Sequence, residues 1–241
     1  MATKARKGKT WGMGYRPETI RNFKAKADTL ITKYQSVNVT DIKFTISSGN
    51  KKIGHVMNVS TLPVYTCKNC SGCVKFCYDI KALLMYPSAI DARVRNTVIL
   101  WRDRELFFRL IDEKMSRRRK NKFFRWHVAG DIVDLDYFCR MVENARRHPD
   151  FVIWTYTKNY DVVNEYCDIY GKDSIPANFT VMFSEWRGMP IVNPYNFPEF
   201  RVFEEGEQIP ATAHVCPGNC NICKETGKGC PFGQTTYCKL H

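Results

Sequence analysis

Several absences bound this chain before any motif is read. No apolar run approaches the roughly 20 residues that a membrane-spanning helix needs, so no membrane partner is expected. The first residues, MATKARKGKTWGMGYRP, are charged and hold no apolar h-region, so no secretory signal is expected either. There is no internal repeat and no low-complexity segment. Acidic residues are short: 24 Asp and Glu against 37 Lys and Arg leave a formal charge of +13. Such a balance attracts phosphate backbones and other polyanions, which makes nucleic acid a candidate partner. The basic groups concentrate in a tail (Lys4, Arg6, Lys7, Lys9) and in a block at 117–122 (Arg117, Arg118, Arg119, Lys120, Lys122). Their plainer reading is a solvated surface.

What is present begins with enough chain, 241 residues at 44% hydrophobic content, to bury one large core without staples. Eleven cysteines are an odd number for disulfides, and nine fall in two clusters, Cys67–Cys77 and Cys216–Cys238. Cys139 and Cys167 stand alone in helix-like segments and read as core thiols. A reducing, cytoplasmic compartment is expected, where clustered cysteines serve metals rather than disulfides. The organising stretch is Thr66 to Tyr78, TCKNCSGCVKFCY, with Cys67, Cys70, Cys73 and Cys77 in a C-x2-C-x2-C-x3-C run. This is the bacterial ferredoxin spacing up to the residue after the last cysteine, where Tyr78 replaces proline. Soft thiolates crowded into one short loop suit a 4Fe–4S cluster. Zinc is the alternative, although it usually draws two ligands from each of two separated knuckles. An open-iron cluster needs only three ligands, and the spacing leaves open whether Cys67 or Cys70 is spare.

Along the chain, Pro17–Tyr34 reads as a helix, with Ile20, Phe23, Ala27, Leu30 and Ile31 on one stripe. Val37–Ile46 alternates like a strand, and His55–Leu62 is a second strand that delivers the chain to the cysteine loop. A helix is expected from Ser88, capped by Ser88 and Asp91, with its apolar stripe running to Ile111. Strands follow at Phe123–Ala129, Phe151–Tyr156, Phe179–Phe183, Phe200–Phe203 and Ala211–Val215. Helices stand between the first of these, from Asp134 to Arg147 and from Asp161 to Tyr170, the latter closed by Gly171. Alternation of strand and helix predicts an α/β fold, a parallel (β/α) partial barrel of about six strands with a Cys-rich C-terminal extension. The expected division is 1–35 (tail and first helix), 36–215 (barrel, with the cluster loop at 66–78) and 216–241 (cysteine segment).

In such folds chemistry gathers at the carboxyl ends of the strands. Those ends carry the cysteine loop, Gly130-Asp131, Thr157-Lys158, Ser184-Glu185 and Cys216. Asp131 could accept a hydrogen bond from a ligand amine or start a helix, and Gly130 permits close backbone approach. His127 is a second catalytic candidate, although a strand histidine is more often a hydrogen-bonded core residue. Lys158, Ser184 and Glu185 are candidate cofactor contacts, set against the plain reading of exposed strand ends. The tail offers Cys216, Cys220, Cys223 and Cys230 in C-x3-C-x2-C-x6-C, a second cluster or a zinc knuckle, with glycines to turn the backbone around it. Cys238 is a substitute ligand or a packed thiol.

The run from Asn58 to Tyr78, then Asn96, Arg125-Trp126-His127-Val128-Ala129-Gly130-Asp131, Tyr156-Thr157-Lys158 and the Cys-rich end closing in KLH resemble the phage gene-product-88 family over roughly residues 55–241. That resemblance implies a phage-encoded protein in the host cytoplasm. More distantly, the order of sites resembles the radical SAM superfamily: a cluster loop after one strand, a Gly-rich motif after the next, and Ser/Glu ribose contacts further on. This layout implies S-adenosylmethionine (SAM) as cofactor, a reductant as partner, and an auxiliary cluster in the tail. The usual C-x3-C-x2-C is absent; C-x2-C-x3-C or C-x5-C-x3-C stands instead.

Overall fold

A computed structural model of the chain describes residues 14–239 except Lys52, Ser71, Arg187 and Glu205. The basic tail therefore lies outside the described residues. Seven strands form one sheet: β1 (Met57–Val59), β2 (Phe123–Trp126), β3 (Val152–Thr157), β4 (Phe179–Ser184), β5 (Glu199–Phe203), β6 (His214–Val215) and β7 (Thr236–Lys239). Their order is β1-β2-β3-β4-β5-β7-β6, every pairing is parallel, and the sheet does not close on itself. The expected six strands are thus seven. The last, β7, inserts between β5 and β6, so the Cys-rich segment contributes to the sheet itself.

Strand alternation explains how both faces are covered. Phe124, Trp126, Ile153, Phe179, Val181 and Phe183 point to one face and pack in the main core with the helices. These are α1 (Pro17–Gln35), α2 (Tyr78–Met85), α3 (Pro87–Arg102), α4 (Arg104–Ser116), α5 (Leu135–Arg147) and α6 (Tyr160–Tyr170). Trp154, Met182 and Tyr156 point to the other face, where Cys230 and Cys220 of the tail pack against them. Helix α7 (Cys220–Thr226) belongs to that second layer.

The helix ends show where local chemistry decides. Asp134 caps α5 as its position predicts, its carboxylate accepting from the Tyr137 amide at 2.9 Å. The single helix expected from Ser88 to Ile111 is two, because Asp103 starts α4 by accepting from the Leu106 amide at 2.8 Å. The capping box at Ser88 does not form. Pro87 is already the first helical residue, and Asp91 is taken by the Tyr34 hydroxyl (2.6 Å) and Arg95 (3.0 Å). Segment 37–46 is not a strand: a 3-10 turn covers Val39–Asp41, and Thr45 exchanges both backbone bonds with the Asn96 side chain (2.9 and 2.8 Å) instead of a neighbouring strand. Asn96 replaces the missing ladder.

Candidate metal centres

The cysteine loop leaves the carboxyl end of β1 and is anchored by two threonines. The Thr66 hydroxyl donates to the Leu62 carbonyl (2.9 Å), and Thr61 donates to Thr66 (2.9 Å). Gly130 lies directly against this pair: a Cβ there would stand 2.0 Å from the Thr61 hydroxyl, at a φ of 88°. Only glycine fits, and the close approach brings Asp131 beneath the loop. Beyond it, Cys73–Phe76 makes a 3-10 turn, and Cys77 stands at the start of α2. Trp186 covers the loop from β4, its indole against Gly72 and its ring 5.5 Å from that of Phe76.

Asp131 is buried and held by three donors: the Ile132 amide (2.7 Å), the Thr157 hydroxyl (2.6 Å) and the Lys158 amide (2.9 Å). Burial still raises its carboxyl above the ordinary range, with those donors and the Lys158 charge opposing. Lys158 ties the strand ends together. Its carbonyl accepts from Asn69 of the loop (3.0 Å), and its ammonium donates to Ser184 (2.8 Å). Cys67 and Cys73 both lie within the field of Asp131, and Cys73 also within that of Lys158. Cys70 lies within the field of Lys24 and within reach of both Cys67 and Cys73. The structure therefore brings Cys67, Cys70, Cys73, Cys77, Gly130, Asp131, Lys158 and Ser184 to one end of the sheet.

Two predicted residues stand apart. His127 is buried on the helix face, one ring nitrogen 3.2 Å from the Thr155 hydroxyl and the other 2.9 Å from that of Tyr137. Both nitrogens are used, which is the core arrangement. Burial, then the Arg125 charge, lowers its pKa to about 3, so the ring stays neutral. Glu185 points the other way from Ser184, as adjacent strand residues do. It lines a cavity of about 250 Å³ with Trp186, Arg201, Glu207 and Tyr237. Sequence reasoning passed over Asn69, the Thr61–Thr66 pair and Trp186; their only signal was position beside the cysteines.

The tail cysteines lie under the sheet. Cys216, Cys220, Cys223 and Cys230 each lie within the others' electrostatic reach, and Cys238 on β7 hydrogen-bonds Cys216 and holds its thiol down at about 6. Gly229, at φ 86°, leaves room that a Cβ would fill: His214 Nε2 would be 2.7 Å from it and the Cys223 sulfur 3.0 Å. That His214 nitrogen is buried without a hydrogen-bond partner. Arg125 reaches into the same space, its guanidinium 4.5 Å from the centre of the Tyr156 ring.

Do these residues suit a metal? Burial raises the thiols of Cys67, Cys70, Cys73, Cys77, Cys220, Cys223 and Cys230, Cys77 to about 11 and Cys223 to about 12. A buried thiol gives up its proton when a metal takes the proton's place. Among the described residues no three His, Cys, Asp or Glu side chains are placed to close on a single ion. A multi-iron cluster holds its thiolates farther apart than one ion does, so this bears on a single ion only. The basic block lies before β2, at the opposite end of that strand from the loop, with Arg117 paired to Glu113 (3.8 Å) and Lys122 to Asp150 (2.7 Å). Among the described residues no helix is long and apolar enough to cross a membrane.

Fold and site together define a parallel α/β protein with two thiol-rich sites, one at the strand ends and one under the sheet. The family model for Gene product 88 matches residues 21–187, and the chain belongs to that phage family. The match takes in the cysteine loop, Asp131, Lys158, Ser184 and Glu185, and stops short of the tail. No curated protein and no solved structure matches the chain.

Proposed function

We propose that the chain is an iron–sulfur protein of radical-SAM-like type. Cys67, Cys73 and Cys77 hold a 4Fe–4S cluster, and Cys216, Cys220, Cys223 and Cys230 hold a second. The observation that carries this reading is the meeting of Cys67 and Cys73 with Asp131 and Lys158 at the carboxyl ends of parallel strands. When bound, a cluster with one open iron supplies one-electron chemistry and a seat for the amino and carboxylate groups of SAM.

The chain's own residues then have definite tasks. Asp131 uses three of its roughly four acceptor positions internally, which leaves one on Oδ2 for a ligand amine. Lys158 keeps two ammonium protons beyond its bond to Ser184. Ser184, beside the Lys158 ammonium, takes a ribose hydroxyl, whereas Glu185, turned into its own cavity, does not share that role. Cys70 is spare, and His127 supports the core.

The test is anaerobic purification with iron, sulfide and zinc counted per chain, then EPR of the reduced protein with and without SAM. Iron and sulfide at roughly eight each, with a spectrum that shifts on adding SAM, are expected for two four-iron clusters. A cluster signal indifferent to SAM would restrict the protein to electron transfer or structure. Zinc without sulfide would remove the iron–sulfur reading and leave a nucleic-acid-binding module, whose affinity would fall steeply with salt.

A further inference from the structure

Arg125 is an anomaly that the reading above does not use. It sits on β2 between Phe124 and Trp126, whose side chains enter the main core, so its own side chain enters the layer beneath the sheet. Its register neighbours are Asn58 and Trp154, and its guanidinium rests on Tyr156. Among the described residues no carboxylate forms an ion pair with it, and its Nε is buried without a hydrogen bond. The side chain is half-buried and rests on Tyr156, which packs with Cys220 and Cys230, and Tyr78, Cys216 and His127 lie within its electrostatic reach. A cation placed in apolar surroundings without an anion is costly, and protein interiors avoid it unless a counter-charge is present. The nearest groups able to carry negative charge are the tail thiols, and they carry it when they ligate a metal. Phenols stay neutral at ordinary pH.

We infer that Arg125 is the counter-cation of the tail centre and sets its reduction potential. The inference rests on the iron–sulfur reading and goes beyond it by assigning a residue outside both cysteine motifs. Four thiolates around a cluster give a net anion, and reduction adds one more negative charge. A fixed cation held half-buried beside those thiols favours the reduced state and raises the potential. Tyr78, directly after Cys77, also lies in the field of Arg125, so the residue stands between the two cysteine groups. The loop centre should feel it less, because Lys158 is the cation nearest to Cys73 there.

The experiment is an EPR-monitored dithionite titration of the full chain bearing Cys73→Ser, which leaves the tail signal alone. Arg125→Gln should move the midpoint to a more negative potential, and Arg125→Lys, with its charge kept, should stay near the parent. Arg125→Met, matched in length, serves if the glutamine variant does not fold. An unchanged midpoint in the uncharged variant, or a shift in the lysine variant as large as in the uncharged one, would overturn the inference. Zinc without sulfide in the tail would sink the iron–sulfur reading instead. The charge argument is then decided by chelator competition, in which Arg125→Met must release zinc faster than the parent; equal release overturns it.

Discussion

The two cysteine groups share a ligand type and little else. The loop at Cys67–Cys77 sits on the carboxyl ends of β1 to β4 among polar and charged partners: Asp131, Lys158, Ser184 and Asn69. It lies within the stretch that the family model matches. The tail group sits beneath the sheet on Trp154, Tyr156 and Met182, outside that stretch, with Arg125 and Lys224 as nearby cations. Polar, accessible strand ends are where parallel sheets place chemistry; an apolar layer under a sheet is where they place packing. The difference teaches that cysteine spacing alone, equally strong in both stretches, does not say which site meets substrate.

Cysteine substitutions sharpen that contrast most. Cys73→Ser should remove about half of the iron while the chain stays folded, because the loop is tied by Thr61, Thr66 and Gly130 rather than by metal alone. Cys230→Ser should remove metal and also destabilise the fold by about 1–3 kcal/mol, since it places a hydroxyl in the apolar layer against Trp154 and Met182. Iron counts and urea midpoints measure both. If the two variants lost stability equally, the contrast between an open and a packed centre would collapse.

Glycine substitutions probe the same contrast at lower amplitude. Gly130→Ala puts a methyl 2.0 Å from the Thr61 hydroxyl at a φ of 88°, so the loop must shift off its anchor. A loss of about 1–3 kcal/mol from backbone strain plus the clash is expected, along with weaker iron retention at the loop. Gly227→Ala, at φ 65° with nothing within 4 Å, should cost only about 1 kcal/mol and leave metal content intact. Thermal melts with parallel iron counts would show it, and iron loss from the Gly227 variant would break the assignment.

Much of this fold was legible because strong local signals agree with the long-range arrangement. The strands at Phe124, Ile153 and Val181 and the cap at Asp134 fall where pattern and propensity place them. The failures have physical causes. β7 reads TYCK, with no apolar alternation, and its place between β5 and β6 is a tertiary fact. Val37–Ile46 alternates like a strand, yet its backbone bonds end on Asn96, fifty-one residues on from Thr45. At the site, motif order marked the strand ends, but the nearness of Cys67 and Cys73 to Asp131 depends on how the loop lies on Gly130. Nothing in the sequence around Arg125 marks it out, because the tail that folds beneath it lies about ninety residues further on.

His127 offers the finest test, since it separates the polar end of the core from the cysteine groups. Its pKa falls from 6.5 to about 3, because burial and the Arg125 charge disfavour the imidazolium. The unfolded chain binds that proton near pH 6.5 and the folded chain resists it. Stability is therefore complete above about pH 6.5 and is lost as pH falls towards 3, by at most about 1.4 kcal/mol per pH unit. His127→Gln gives up its bonds to Thr155 and Tyr137, so it should be less stable than the parent by about 1–3 kcal/mol at pH 8. Between pH 6 and 4 the gap should narrow, because the variant lacks the titrating ring. Urea midpoints across that range, with the cluster absorbance followed alongside, separate this from acid release of metal by protonated thiols. Parallel curves for parent and variant would show that acid acts through the cysteines, and that His127 contributes nothing to the pH dependence of the fold.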